Sequence, residues 1–289
     1  MPGDMMHVGD GPAWKDLLVE IHCRTREEKS MLIPAVAEPQ IVWNLSGTLR
    51  CEERELGGEW ISHRIVPGDL FLTTSPAPYE LRWKVLGPEP LIVMHVFMGI
   101  PLLARAAKEL LGPDAEVPAL REVSAVRDPT LSALLEQLRL ELVERAPANK
   151  LFVQGMAQSL AVHLIRTYRD KGMAHPHRIR GLPAFQLRKV SALMHEALEE
   201  GIQIKTLADA VEMSEAHFSR LFKSTTGISP SQFFIRLRIA KAQQLLRETE
   251  RSIIEIGLDV GYSSPSHFAQ VFRKEAGLPP HDYRQQHYI

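Results

Sequence analysis

Hydrophobic residues follow two patterns along the chain, and the pattern changes near Ile100. Over residues 14–98, short apolar runs are separated by turn-forming residues. Over residues 79–85, apolar and charged residues alternate with the two-residue period of a half-buried strand. Many short strands with turns between them predict a β-sandwich or a small barrel. Beyond Ile100 the apolar residues recur at helical spacing, which predicts accessory helices after the strands.

The second half of the chain contains an internal repeat, because the segment 208–230 is written again over 257–280 with one extra residue. In this alignment Ser214 falls on Ser263. Each copy has the pattern of a helix, a tight turn and a second helix whose regularly spaced phenylalanines point inward. Between the copies, apolar residues at helical spacing over 235–246 predict a long connecting helix. The repeat therefore predicts two helix-turn-helix units held on one strut.

The order of these parts resembles the C-terminal DNA-binding domain of AraC/XylS-type transcriptional regulators. The resemblance runs over about residues 188–284 and includes the closing run G-L-P-P-H-D-Y-R at 277–284. The turn P-G-D at 67–69, which precedes an aromatic strand, is similar to the cupin-like sensory barrel of the same family. Two positions depart from the family pattern: Glu212 stands where a glycine is common, and Gln270 stands where arginine is frequent. The first departure predicts a turn that is built differently or carries strain.

The predicted fold class is α+β, with an N-terminal cupin-like β-barrel and accessory helices followed by an all-α domain. We place the sensory and dimerisation domain at 1–165 and a basic linker at 166–183, where glycine and proline interrupt the helical period. The DNA-binding domain follows at 184–289, with helix-turn-helix units at about 204–225 and 253–275. The resemblance implies an activator or repressor that binds double-stranded DNA, senses a small molecule and forms a homodimer. RNA polymerase is a further candidate partner.

The outward face of the second helix in each unit carries the predicted DNA contacts. Arg220 is the best candidate for a base contact, because its guanidinium matches the two acceptors of guanine. Gln270 suits adenine in the second unit, and Lys223 supplies positive charge for a phosphate. A solvated helix face is the alternative interpretation of each residue taken singly, and the repeat favours contact. The predicted DNA-binding residues are Ser214, Glu215, Ala216, Ser219, Arg220, Lys223, Ser264, Ser266, His267, Gln270, Arg273 and Lys274.

Aromatic and histidine side chains in the strand region suggest a ligand pocket, since barrel mouths commonly hold small molecules. The candidate lining residues are Trp43, His63, Trp83 and His95. Ordinary barrel core is the alternative interpretation of each one, and a barrel that serves only dimerisation is the alternative for the whole domain. We expect no metal and no cofactor, because the barrel has no H-x-H pair and no acidic ligand at a supporting spacing.

Composition and cysteine usage narrow the function further. The formal net charge is −1, so DNA affinity must come from locally arranged cations rather than from the chain as a whole. A cupin-type enzyme would need metal ligands that the barrel lacks. A DNA-modifying methyltransferase would need a reactive thiol, and Cys23 and Cys51 stand in no recognisable setting for one. We therefore expect a protein that is not an enzyme.

The N-terminal segment lacks the charged and apolar regions of a signal peptide. The apolar run at 91–98 is too short to span a bilayer and is interrupted by His95. These features predict a soluble, cytoplasmic protein that makes no membrane contact.

Overall fold

The chain divides into two compact units, Met1–Ala184 and Phe185–Ile289. Each unit has a hydrophobic core of its own. The computed structural model describes residues 3–145, 147–170, 172 and 181–287. Residues 171 and 173–180 of the basic linker predicted at 166–183 lie outside these described residues. Within them, no helix combines the length and the apolar character needed to cross a bilayer.

Two antiparallel sheets form the framework of the first unit. The strands are β1 (Asp4–Val8), β2 (Leu17–Arg24), β3 (Glu27–Ile33), β4 (Gln40–Ser46), β5 (Leu49–Glu55), β6 (Ile61–Ile65), β7 (Leu70–Thr73), β8 (Tyr79–Val85), β9 (Leu91–Met98) and β10 (Val123–Val126). The six-stranded sheet has the order β1-β2-β9-β4-β7-β10, and the four-stranded sheet has the order β3-β8-β5-β6. The alternating segment at 79–85 is a strand, as expected. The sequence pattern did not predict β10, which extends the larger sheet beside β7.

The two faces of the six-stranded sheet pack against different layers. Helices cover one face, and they are α1 (Ile100–Leu111), α2 (Pro129–Glu144) and α3 (Lys150–Tyr168). This layer joins Ile41 of the sheet to Leu138 of α2. On the opposite face, Leu91 packs with Trp83 of the four-stranded sheet. The strand β9 is therefore covered on both faces, which explains its nearly unbroken apolar run.

Capping residues set where the accessory helices begin. Asp128 caps α2, because its side chain accepts a hydrogen bond from the Leu131 N–H, and this start is the one that the Asp-Pro pair predicts. Asn149 caps α3 in the same way. Helix α3 continues to Tyr168, three residues into the segment predicted as linker. It does so because Ile165 and Tyr168 are buried against the sheet layer.

The second unit consists of helices. They are α4 (Ala184–Glu196), α5 (Ile204–Ala210), α6 (Glu215–Thr226), α7 (Pro230–Glu248), α8 (Ile253–Asp259), α9 (Pro265–Ala276) and α10 (Pro280–His287). The pairs α5–α6 and α8–α9 are the two helix-turn-helix units, and α7 is the strut between them. Equivalent phenylalanines of the two copies, Phe218, Phe222, Phe268 and Phe272, are fully buried. Burial of these matched side chains explains why both copies fold alike.

Candidate nucleic-acid interface

The second helix of each unit begins at an exposed serine that caps it. The Oγ of Ser214 accepts a hydrogen bond from the His217 N–H at 3.4 Å. The Oγ of Ser264 accepts one from the His267 N–H, also at 3.4 Å. These matching caps make Ser264 the structural equivalent of Ser214. The alignment of Ser214 with Ser263 is therefore wrong by one position, and the extra residue of the second copy is Ser263 in the turn.

The outer face of α6 presents the predicted contacts to solvent. Arg220 and Lys223 are exposed and stand three residues apart, so they lie on the same side of the helix. Neither forms an ion pair with another residue in the described part of the chain. Glu215 and Ala216 are exposed at the start of the helix, where the helix dipole stabilises the carboxylate of Glu215. Ser219 differs from the others because it is half-buried.

The outer face of α9 is organised in the same way. Its first half carries exposed Ser266, His267 and Gln270, and its last turn carries exposed Arg273 and Lys274. Because the caps fix the alignment, Gln270 of α9 occupies the place that Arg220 has in α6. A neutral amide thus stands in α9 where α6 carries a guanidinium. The cations of α9 are concentrated near its C-terminal end.

The turns that lead into α6 and α9 follow the same backbone path. The Met213 N–H donates to the Ala208 carbonyl at 3.0 Å, and the Tyr262 N–H donates to the Gly257 carbonyl at 2.9 Å. A Cβ added at Gly257 would lie 3.1 Å from the ring of Phe268. The close packing of the two helices therefore leaves little room for a side chain at Gly257.

Each turn also contains one residue with a left-handed backbone. The φ angle is 57° at Glu212 and 80° at Gly261. A side chain in this region is crowded by the neighbouring carbonyl, which glycine avoids. Of the two possibilities that the sequence leaves open at Glu212, the structure has the second: the first turn keeps the geometry of the other turn, and Glu212 carries the strain.

The strut α7 makes direct contacts with both second helices. The ring of Phe233 packs edge-on against Phe222 of α6, with 5.3 Å between ring centroids. The side-chain amide of Gln232 donates to the Glu275 carboxylate of α9 at 2.8 Å, and Arg236 pairs with the same carboxylate at 3.4 Å. These contacts attach both second helices to the strut.

One residue of this domain that the sequence pattern did not single out is Arg238 on α7. Its Nε donates to the carbonyl of Leu198 at 2.8 Å, and its guanidinium lies over the ring of Phe234 at 4.6 Å. The only signal in the sequence is a charged residue beside the apolar stripe of the strut, and such residues are usually solvated. A contact between positions forty residues apart has no periodic signature.

In the first unit, strand alternation separates the tryptophans predicted to line a ligand pocket. Trp43 lies on the face of the six-stranded sheet that packs against the helices. Trp83 lies in the apolar layer between the two sheets, and its indole N–H donates to the Thr25 carbonyl at 2.9 Å. His95 pairs across the sheet with Val42, the residue next to Trp43. Because successive residues of a strand point to opposite faces, Trp43 and His95 point to opposite faces of the sheet. The four predicted residues are therefore not brought together in one pocket.

The two predicted histidines are engaged by protein groups. His95 is buried, with Arg24 Nη2 2.9 Å from its Nε2 and Gln40 Nε2 2.6 Å from its Nδ1. Burial and the charge of Arg24 hold the pKa of His95 well below its ordinary value. Burial likewise lowers the pKa of Arg24 to about 10. His63 lies on the other sheet, where its Nε2 is 3.4 Å from the Glu53 carboxylate.

A cavity of about 460 Å³ lies on the helix side of the six-stranded sheet. Trp43 and Ile21 line it from the sheet, and Val143 and the ion-paired Arg139 line it from α2. Within the described part of the chain, the indole N–H of Trp43 is buried without a hydrogen-bond partner. A buried donor of this kind is costly unless it is satisfied. Of the four predicted ligand residues, Trp43 alone lines this cavity.

Clustered metal ligands and reactive thiols are the groups on which the enzymatic alternatives depend. They contain no group of three or more His, Cys, Asp or Glu side chains placed to hold a metal ion. Cys23 and Cys51 are both free thiols. Burial, with added repulsion from Glu53 and Glu52, raises the pKa of Cys51 to about 12. That thiol stays protonated at neutral pH and offers no nucleophile.

The unit Phe185–Ile289 is similar to domains of known proteins. Residues 207–286 match the family model of a helix-turn-helix domain. The transcriptional regulator GbdR of Pseudomonas aeruginosa is 32% identical over 148 residues, which cover 51% of this chain and 40% of GbdR. The regulator MtrA of Neisseria gonorrhoeae is 28% identical over 163 residues, which cover 56% of this chain and 54% of MtrA. The chain thus spans about half the length, or less, of these relatives.

A solved structure is also similar in sequence over the same domain. It is a transcriptional regulator with an AraC-type DNA-binding domain from Chromobacterium violaceum, 35% identical, with a TM-score of 0.34. The match covers 35% of this chain and 91% of that one. The family match, the sequence relatives and the paired, identically capped helix-turn-helix units all concern one domain. Through that domain, the chain belongs to the AraC/XylS-type family of helix-turn-helix transcriptional regulators.

Proposed function

We propose that the protein is a sequence-specific DNA-binding transcriptional regulator whose two helix-turn-helix units enter successive major-groove windows. The observation that carries the proposal is the duplication of one exposed face. Helices α6 and α9 are capped by equivalent serines, bury equivalent phenylalanines and turn the same positions outward. Two such helices held on one strut suit two windows about one helical turn apart on the same side of DNA.

The exposed side chains have the chemistry that DNA contact requires. Arg220 forms no ion pair with the described residues and can donate both hydrogen bonds to the major-groove edge of guanine, whereas Gln270 suits adenine. Lys223, Arg273 and Lys274 supply charge for phosphates. The whole chain has a formal net charge of −1, so these local cations must supply the attraction that makes binding salt-dependent.

We infer in addition that the first unit senses a small molecule. The cavity beside Trp43 supports this role, because it is large enough for a small ligand and is lined by Trp43, whose buried indole N–H has no hydrogen-bond partner among the described residues. A second copy of the chain and RNA polymerase are the protein partners that a regulator of this type implies. The alternative for the first unit is dimerisation without a ligand. No reaction is assigned to the chain.

Selection of duplexes from a random DNA pool by the full-length protein tests the DNA-binding role. The selected duplexes should share two blocks of conserved bases about ten base pairs apart from centre to centre. A single block would mean that only one unit reads sequence. Survivors that share no bases would contradict sequence-specific binding.

Titration with small metabolites tests the sensory role separately. A true effector should raise the melting temperature by binding the folded state and should change tryptophan emission in the wild type more than in Trp43→Phe. DNA affinity that no binding compound alters, in a protein that sediments as a dimer, would favour the dimerisation alternative.

A further inference from the structure

We propose that Arg238 is a positioning residue that fixes the second helix-turn-helix unit at a set angle to the first, and so sets the spacing of the two DNA windows. This inference rests on the proposed function. In this role Arg238 does not contact DNA. Its role is to determine where α9 lies when α6 is already in its groove.

The guanidinium of Arg238 joins the strut to the segment that follows α4. Its Nε donates to the Leu198 carbonyl at 2.8 Å, and its Nη2 lies 3.5 Å from the Glu199 carbonyl. These carbonyls follow the last turn of α4 and precede α5, so they belong to the first half of the domain. Hydrogen bonds from a charged donor are about twice as strong as neutral ones.

The same guanidinium occupies the space beside the turn of the second unit. A Cβ built at Gly261 would lie 2.5 Å from the Glu199 carbonyl and closer still to Arg238 Nη2. Only glycine leaves room for this approach, and the φ of 80° at Gly261 also favours glycine. The turn between α8 and α9 therefore packs directly on the pair formed by Arg238 and Glu199.

Aromatic contacts carry this position onward to α9. The Arg238 guanidinium carbon lies 5.5 Å from the centre of the Tyr262 ring. Tyr262 in turn packs against His267 and Phe268, with 5.5 Å between ring centroids in each case. The exposed contact positions Ser266 and Gln270 flank these two residues. A shift of the guanidinium would thus move the face predicted to meet the second window.

The first helix-turn-helix unit is tied to α4 by a different residue. Lys189 of α4 donates to the carbonyl of Ala210, at the end of α5, at 2.7 Å. Helix α4 and the segment after it are therefore a common reference for both turns, through Lys189 for the first and Arg238 for the second. Removal of the Arg238 side chain should loosen the second helix-turn-helix unit against this reference and leave the first helix-turn-helix unit in place.

The folding of the second helix-turn-helix unit does not depend on Arg238 alone. Its core is formed by apolar and aromatic residues that include Ile256, Phe268 and Phe272. Glu275 and the strut residue Gln232 hold α9 independently. Loss of the guanidinium should therefore widen the range of angles that the second helix-turn-helix unit adopts relative to the first, without unfolding it.

The test uses the full-length chain and a duplex selected by it from a random pool. Derivatives of the duplex carry one to five base pairs added between the two blocks, and one derivative keeps only the first block. Affinity is measured by fluorescence anisotropy for the wild type, Arg238→Ala and Arg238→Lys. Arg247→Ala is the matched control, because Arg247 is a half-buried arginine of the same strut whose Nη1 bonds the Tyr283 hydroxyl instead.

The wild type and Arg247→Ala should bind the native spacing tightly and lose affinity as base pairs are added. Arg238→Ala should bind the native spacing about tenfold more weakly, with a flattened dependence on spacing and unchanged affinity for the first block alone. Arg238→Lys keeps the charge but loses the fork, and should lie between the two. It also preserves the test if the alanine variant does not fold.

Two results for the variants would overturn the proposal. One is an unchanged spacing profile in Arg238→Ala. The other is an equal loss of affinity for the first block and the full duplex, which would assign Arg238 to general stability. A wild type without any spacing preference would remove the two-window function itself, and with it the role of Arg238.

Discussion

Glu212 and Gly261 occupy the same place in the two turns, and both have a left-handed backbone, with φ angles of 57° and 80°. Only the second position has the residue that adopts this geometry without strain. The substitution Glu212→Gly should therefore stabilise the compact unit Phe185–Ile289 by about 0.5–1 kcal/mol, because relief of the strain exceeds the extra entropy of glycine in the unfolded chain. Chemical denaturation measures the change.

Glu212→Ala is the matched control, since it removes the carboxylate but keeps the Cβ. It should gain little stability. Gly261→Ala should lose stability, because its Cβ would meet the Glu199 carbonyl. Equal stability of Glu212→Gly and Glu212→Ala would show that the backbone at Glu212 is not strained.

Base recognition by the first helix-turn-helix unit should depend on the Arg220 side chain. Arg220→Ala should cost about 1–3 kcal/mol for the selected duplex and should relax base preference in one block only. Repeating the selection with the variant measures this directly. Gln270→Ala is the comparison, and it should relax the other block. Relaxation of both blocks by either variant would contradict independent reading by the two units.

Lys223 should contribute charge rather than sequence preference. Lys223→Ala should weaken binding to all duplexes alike and reduce the slope of log affinity against log salt by about one. Lys205→Ala removes the same charge from an exposed position of α5 outside the predicted face, and should leave the slope nearly unchanged. Identical slopes for the two variants would mean that Lys223 makes no phosphate contact.

Local signals in the sequence predict much of the second unit. The repeated phenylalanines define the buried side of α6 and α9, and the serines before them define where the helices begin. The one error there has a local cause. Ser263 and Ser264 are adjacent and both are able to cap a helix, so only the observed hydrogen bond at Ser264 identifies the cap.

The proposed ligand cavity of the unit Met1–Ala184 is less predictable for a physical reason. The run that contains Trp43 is apolar on both faces of its strand, so it has no alternation to tell which layer Trp43 enters. The contacts of Arg238 are hidden in a different way. They join positions far apart in the chain through backbone carbonyls, which any residue possesses. Neither relationship leaves a periodic pattern.

Asp128 should make the stability of the first unit depend on pH. Its carboxylate accepts hydrogen bonds from the Leu131 N–H at 2.9 Å, the Tyr168 hydroxyl at 2.8 Å and His163 Nε2 at 2.6 Å. Burial acts to raise the pKa of Asp128, but these hydrogen bonds outweigh it and hold that pKa below the ordinary value of 3.8. The charged form is thus favoured by folding.

The sign of the pH dependence follows from this depressed pKa. The stabilisation is complete well above pH 3.8, the ordinary value, and is lost as the pH falls through the lower pKa of the folded state. Asp128→Asn keeps an acceptor for the Leu131 N–H but carries no charge. It should be less stable than the wild type by about 2 kcal/mol at neutral pH, and the difference should shrink towards pH 3. Melting curves of both proteins between pH 7 and pH 3 measure it, with Tyr168→Phe as a control that removes one donor and keeps the charge. A difference that stays constant over this range would mean that the charge of Asp128 does not stabilise the fold.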